Sequence, residues 1–355
     1  MKILYLITGL GLGGAEKVVA DLADQMSLLG HNVKIAYLTG EVQVKPISSN
    51  VELIALNLNS AKQFLLASKK YRKLVKSFLP DVVHAHMVHA NIFARLNRTL
   101  YPVPKLICTA HNSNEGGKAR MVAYRLTNHL SDINTNVSKE ATRALITKGA
   151  FSKNNVTTVY NGIDLRKFEK THDSIGLYKN TLNLISVGRF NHQKDYPNLI
   201  NSFAKLKANI TTNVKLTIVG DGELRAEIEA LIRNLELEED VTLLGRRSDI
   251  PQLLSQADIF VLASKFEGFG LVVAEAMACK CYVVATDSGG VAEVMGNTGK
   301  LVPIEDSQAL AQALENAINL SFKDRTQNNK KARERVEEFF SLETSVQKWL
   351  ALYEA

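Results

Sequence analysis

The chain opens MKILYLITGLGLGGAEKVVADLADQ, residues 1–25. A short apolar run at 2–7 meets Gly9, Gly11, Gly13 and Gly14, and an amphipathic pattern starts at Ala15. Strand, glycine turn and helix form the opening unit of a doubly wound α/β fold. Gly9, Gly11 and Gly14 also spell G-x-G-x-x-G, the turn that cradles dinucleotides. That reading requires an acid at the end of the second strand, about 20 residues on. The second apolar run, 33–38, ends in Thr39-Gly40 with Glu41 late, so the acid is missing from its place. Three readings stay open: a dinucleotide turn without its acid, a bare sharp turn, and a loop facing phosphate or sugar.

Working outward, apolar runs at 51–56, 81–85, 105–110, 132–135 and 156–160 read as further strands, with helical patterns at 15–29, 61–78, 90–100 and 118–130 between them. A polar stretch without periodicity follows, and the alternation then restarts at 182–187, 214–219, 241–244, 259–262, 282–285 and 299–302. Such alternation predicts parallel sheet with helices on both faces. The expectation is two doubly wound, Rossmann-like domains facing each other across a cleft, with ligand at the carboxyl ends of their strands. The boundaries are 1–165 for the first domain, 166–181 for a linker and 182–337 for the second. A last helix, 338–355, carries Trp349, Leu350 and Tyr353 and is expected to pack back on the first domain.

The 355 residues suffice for two cores, and 46% hydrophobic with 22% charged residues excludes wholesale disorder. No apolar stretch approaches the ~18 residues of a membrane span, and the start is too short for a signal sequence. Cys108, Cys279 and Cys281 are odd in number and lack metal spacing, which fits core thiols in a reducing cytoplasm. The net charge of +7 is lopsided, because residues 1–165 hold 20 basic and 10 acidic side chains. An anionic partner is implied for that half. No helix-turn-helix, zinc-finger or RNA-stacking signature points to nucleic acid.

The second half carries the chemistry. In Ser186-Val187-Gly188-Arg189-Phe190-Asn191-His192-Gln193-Lys194, Arg189 and Lys194 lie on the loop after the domain's first strand. A guanidinium fork beside an ammonium suits a diphosphate; the bland alternative is a solvated pair on a turn. In Lys265-Phe266-Glu267-Gly268-Phe269-Gly270-Leu271, a glycine-rich loop opens a helix, so the amides of Phe269, Gly270 and Leu271 form an anion site. Glu275, flanked by Ala274 and Ala276, faces inward. A buried carboxylate needs donors, and ribose hydroxyls supply them, unless an internal salt bridge does. Glu267 faces whatever lies beyond the phosphates, or is simply a loop acid. Leu244-Gly245, at a strand end, either read a base edge or make a plain turn.

Taken in order, Gly13-Gly14-Ala15-Glu16, Asp81-Val82-Val83-His84-Ala85-His86, Thr109-Ala110-His111-Asn112, Asn161-Gly162-Ile163-Asp164, Gly188-Arg189 with Lys194, and Glu267-x7-Glu275 resemble the family-4 retaining glycosyltransferases of GT-B architecture. The resemblance runs from Met1 to at least Pro303; Leu165 replaces the small residue usual there. It implies transfer of a sugar from a nucleotide diphosphate sugar, a UDP-sugar foremost, to an acceptor hydroxyl with retention of configuration. Family members need no divalent metal, so no metal or other cofactor is expected.

By the same resemblance Gly13 and Gly14 let the first loop approach the donor diphosphate, Glu275 holds ribose, Glu267 the donor sugar, and His111 sits near the sugar's 6-position. His84 and His86 are expected to shape the loop after their strand. The two-carboxylate arrangement of retaining hydrolases has no candidate nucleophile here; the family is thought to react on one face, with the leaving phosphate assisting the acceptor. The basic helix at 61–76, with Lys118, Arg120 and Arg125, suggests a lipid-linked glycan as acceptor and peripheral contact with the anionic inner membrane from its cytoplasmic side. The bland reading of that helix is a core-facing element with a solvated basic side. A nucleotide-sugar 2-epimerase and a non-catalytic sugar-nucleotide binder are the competing functions.

Overall fold

A computed structural model describes residues 1–113, 116–170 and 181–355. The greater part of the expected linker, 171–180, lies outside the described residues. The chain divides into two compact units, one made of residues 1–162 with 342–355 and the other of residues 163–341.

The first unit is built on a seven-stranded parallel sheet in the order β3-β2-β1-β4-β5-β6-β7. Its strands are β1 (Lys2–Ile7), β2 (Asn32–Tyr37), β3 (Glu52–Ala55), β4 (Val82–His86), β5 (Lys105–Ala110), β6 (Ile133–Asn136) and β7 (Val156–Thr158). The helices are α1 (Gly14–Leu28), α2 (Phe64–Phe78), α3 (Val88–Arg98), α4 (Lys118–Thr127) and α5 (Lys139–Thr147). The expected helix at 61–78 begins with a 3₁₀ turn, Ala61–Gln63, because Ser60 and Gln63 close a capping box there. Inward, α2 buries Ala67, Tyr71, Leu74, Val75 and Phe78, while Lys69, Lys70, Arg72, Lys73 and Lys76 stay exposed.

The second unit has a six-stranded sheet, β10-β9-β8-β11-β12-β13, parallel throughout. Here the strands are β8 (Thr181–Val187), β9 (Asn213–Val219), β10 (Val241–Gly245), β11 (Ile259–Leu262), β12 (Tyr282–Thr286) and β13 (Lys300–Val302). Helices α6 (Tyr196–Asn209), α7 (Arg225–Asn234), α8 (Ile250–Gln256), α9 (Leu271–Ala278), α10 (Val291–Met295), α11 (Ser307–Ile318) and α12 (Phe322–Phe340) connect or follow them. All four residues of β11 are buried, as expected of a strand covered on both faces. The three cysteines are free and buried, and burial pushes the Cys281 thiol up to about 12.

The chain returns to the first unit through α13 (Leu342–Glu354). Gly162 sits where a Cβ would lie 2.6 Å from the Leu342 backbone, and the Ser345 hydroxyl donates to the Tyr160 carbonyl at 3.0 Å. A glycine is required at that crossing for space. Trp349 and Tyr353 are buried against β4: the Trp349 ring centroid is 4.4 Å from that of His84, and Lys105 donates to the Leu352 and Tyr353 carbonyls at the helix end.

Each sheet has one topological switch point, where neighbouring strands send the chain in opposite directions: β1/β4 in the first and β8/β11 in the second. Ligands of open α/β sheets bind outside the carboxyl ends of such strands.

Candidate functional site

The β8 and β11 loops meet at the second switch point. After β8, Gly188 leaves room for the Lys194 stem, since a Cβ there would lie 3.1 Å from Lys194 Cε. Lys194 then reaches across to the β11 loop, where its Nζ is 2.6 Å from Glu267 Oε1. The Ser264 hydroxyl donates to the same oxygen at 2.7 Å. Both charged side chains are largely buried, at 16% and 10% exposed. The Gln193 amide group donates to the Phe266 carbonyl, and the Lys265 amide to the Gln193 carbonyl, so the two loops are fastened by backbone as well as charge. Next in the chain, Asp195 holds a left-handed φ of 47°, a non-glycine conformation that costs of order 1 kcal/mol or more.

Arg189 points elsewhere. Its side chain is 67% exposed, with Nε 3.5 Å from Glu223 Oε2. Such a surface pair is worth about 0–1 kcal/mol.

Gly270, with φ +88°, is the N-cap of α9, and no side chain caps that helix end. The Phe269 side chain turns inward onto Phe340, ring centroids 5.4 Å apart. Leu271 begins the helix, and Glu275 lies within it at 3% exposure. In β10 the register shifts between Leu243 and Gly245. Gly245 takes φ +69° and its carbonyl accepts from the Gly220 amide at 2.9 Å, so glycine serves backbone conformation there, while Leu244 is 37% exposed.

Two supports of this site escaped the sequence reading. Gly289, at φ +58°, passes directly behind Glu267: a Cβ would lie 1.8 Å from the Glu267 carbonyl oxygen. Gly220 and Gly222 pack likewise behind the Arg189 loop, with hypothetical Cβ atoms 1.9 Å from the Gly188 carbonyl oxygen and 2.4 Å from that of Phe190. The available signal was a glycine just beyond β9 and another just beyond β12.

In the first unit, Gly13 and Gly14 are exposed at the start of α1 after β1. Gly13 has extended backbone, φ −161°, and a Cβ would meet only the mobile end of Glu16 at 2.4 Å. Its bareness is thus a matter of surface access and not of fold.

His84 and His86 do not shape the loop after β4, as the sequence had suggested; both lie inside the strand and are fully buried. Tight packing between β1, β5 and α13 claims them. His84 Nε2 is 2.6 Å from Thr109 Oγ1 and Nδ1 is 2.7 Å from the Tyr353 hydroxyl, itself 3.2 Å from the Tyr5 hydroxyl. His86 Nδ1 is 2.9 Å from His111 Nε2, just past β5. Burial pulls all three imidazoles down, His111 to about 4, so the cluster is neutral at pH 7.

The family comparison covers both units. Residues 12–167 match Glycosyltransferase Family 4, and residues 167–335 match Glycosyl transferases group 1. The chain belongs to the family-4 glycosyltransferases.

This glycosyltransferase is 30% identical to the N-acetylgalactosamine-N,N'-diacetylbacillosaminyl-diphospho-undecaprenol 4-alpha-N-acetylgalactosaminyltransferase of Campylobacter jejuni, over 94% of this chain and 96% of that one. It is 27% identical to the UDP-Gal:alpha-D-GlcNAc-diphosphoundecaprenol alpha-1,3-galactosyltransferase of Escherichia coli, over 68% and 67%. Its fold matches the Anabaena HepE structure in complex with UDP and glucose, at TM-score 0.85, 23% identity and full coverage of both chains. Among the described residues, no helix of the glycosyltransferase is long and apolar enough to cross a membrane.

Proposed function

We propose that the protein is a retaining, metal-independent glycosyltransferase. It moves a sugar from a nucleotide diphosphate sugar, a UDP-sugar foremost, to a hydroxyl of a lipid-linked glycan in bacterial cell-surface polysaccharide assembly. The observation that carries this reading is the Lys194–Glu267 pair at the β8/β11 switch point, with the exposed Arg189 beside it on the same loop.

When the bond between the sugar's C1 and the diphosphate oxygen breaks, negative charge grows on the leaving phosphate. Lys194, Arg189 and the amides around Gly270 and Leu271 stabilise it, the role that a metal fills elsewhere. Lys194 exchanges Glu267 for phosphate, and Glu267, still held by Ser264, accepts from the sugar hydroxyls. Glu275 accepts from the ribose hydroxyls, and the Leu244-Gly245 backbone faces the base. From the first unit, Gly13 and Gly14 admit the diphosphate, and His111 hydrogen-bonds the sugar as a neutral ring. The acceptor oxygen bonds to C1 on the face that the phosphate leaves, and its proton passes to the departing diphosphate.

The acceptor class draws on the diphosphoundecaprenol named for both relatives and on α2. That helix exposes five cations, with Leu65 and Leu66 73% and 61% exposed at its start, a composition suited to an anionic membrane surface. The test is transfer from UDP-sugars to a polyprenyl-diphosphate glycan with and without EDTA, reading the product anomer by proton NMR. An inverted anomer, or activity lost to EDTA, overturns the proposal.

A further inference from the structure

The first unit holds a second site. A pocket of about 760 Å³ lies between the start of α4 and the end of α5, with Lys118, Arg125 and Lys148 as its cations and Met121 and Val122 as its apolar lining. Lys148 Nζ donates to the Ser113 carbonyl at 2.8 Å, which ties the pocket wall to the loop two residues beyond His111. The pocket therefore adjoins the carboxyl end of β5, on the ligand-binding edge of the sheet.

Its charge is one-sided. Among the described lining residues three are cationic and none is acidic, and Lys118 and Arg125 make no ion pair among the described residues. Beside them on the same face of α4, Met121 is buried, and Val122 and Leu126 are 53% and 66% exposed. Four residues apart, these two share one face of α4 and extend the apolar wall beyond the pocket. A free inorganic anion has no use for that wall, and a neutral lipid none for the cations. An amphiphile with a polyanionic head satisfies both.

The geometry points to this pocket as the seat of the acceptor's diphosphate and first isoprene units. The inference rests on the acceptor class proposed above and adds a location distinct from α2, whose cations lie on an open helix face.

The test is calorimetric titration of the full chain, saturated with UDP to occupy the donor site, with farnesyl diphosphate and with inorganic pyrophosphate. Farnesyl diphosphate is expected to bind more tightly than pyrophosphate. Lys118→Ala/Arg125→Ala should weaken it about tenfold or more. Val122→Asp should weaken farnesyl diphosphate and spare pyrophosphate, whereas Lys69→Ala/Lys73→Ala on α2 should stay within about twofold of wild type. All five positions are exposed, so the variants should fold. In transfer assays the pocket variants should raise the KM for acceptor and leave the slow donor hydrolysis rate unchanged. Unchanged affinity in Lys118→Ala/Arg125→Ala, equal affinity for the two ligands, or a loss confined to the α2 variant overturns the pocket assignment. A wild-type protein that ignores farnesyl diphosphate yet glycosylates a soluble glycan overturns the acceptor class instead.

Discussion

Replacing His111 by Asn is expected to make the fold less sensitive to acid. In the folded chain burial lowers His111 to about 4, against an ordinary 6.5 when unfolded. Between those values the unfolded chain binds a proton that the folded chain refuses. The contribution is thus complete above pH 6.5 and lost as pH falls toward 4. That gap corresponds to about 3 kcal/mol, trimmed toward about 2 because His111 is only partly buried. His84 and His86 are displaced in the same direction by burial and by their histidine neighbours. Together the three should steepen the loss of stability to as much as ~4 kcal/mol per pH unit below 6.5, of which one ring accounts for ~1.4. Urea denaturation of wild type and His111→Asn at pH 7, 6, 5.5 and 5 measures the difference. Parallel curves for the two proteins, or a wild-type stability flat from pH 7 to 5, would show that the cluster is not held neutral and would refute the reasoning.

Arg189→Ala and Lys194→Ala should each lower kcat by about 10²–10³ with the fold intact by circular dichroism, and near-normal turnover in either removes it from the mechanism. Glu275→Gln should weaken nucleotide diphosphate binding about tenfold or more by calorimetry; unchanged affinity ends its ribose role. Gly289→Ala should depress the melting temperature and donor affinity together, because a methyl group 1.8 Å from the Glu267 carbonyl must displace that loop; a wild-type melting curve would contradict the close approach. Tyr353→Phe removes the hydroxyl between His84 and Tyr5 and should cost about 1–3 kcal/mol in urea, with kcat little changed.

The strands were legible because a parallel sheet buried on both faces writes itself as short apolar runs, and β11 and β12 are buried at every position. Helix ends were less so: the pattern starting at 90 belongs to a helix that begins at Val88, after Met87 takes φ 73°, a backbone event without a periodic trace. In the site, the loop at 265–271 and Glu275 could be read since strand, glycine loop and helix adjoin in the chain. Lys194 and Glu267 are 73 residues apart, and nothing in either segment announces that they pair. His84 and His86 were expected to shape the loop after their strand because a polar residue in a strand usually faces water; here Thr109, Tyr353 and His111 replace the water, and those partners come from two other parts of the chain, the end of β5 and α13.

If the β8/β11 switch point takes a diphosphate as proposed, the Lys194–Glu267 pair also explains how that site avoids disrupting itself before the ligand arrives. Two like charges at a switch point, Lys194 and Arg189, would repel and draw water into the loops if left alone. Glu267 neutralises the more buried cation, and Ser264 keeps the carboxylate in place. Because a buried ion pair is roughly balanced between Coulomb attraction and desolvation, a phosphate that offers Lys194 the same charge takes it over at small cost. The acid then remains in its cradle with an oxygen ready for a hydroxyl donor. In that reading charge on one half of the ligand prepares recognition of the other half, with Gly188 leaving room for the Lys194 stem and Gly289 letting the segment after β12 pack behind Glu267.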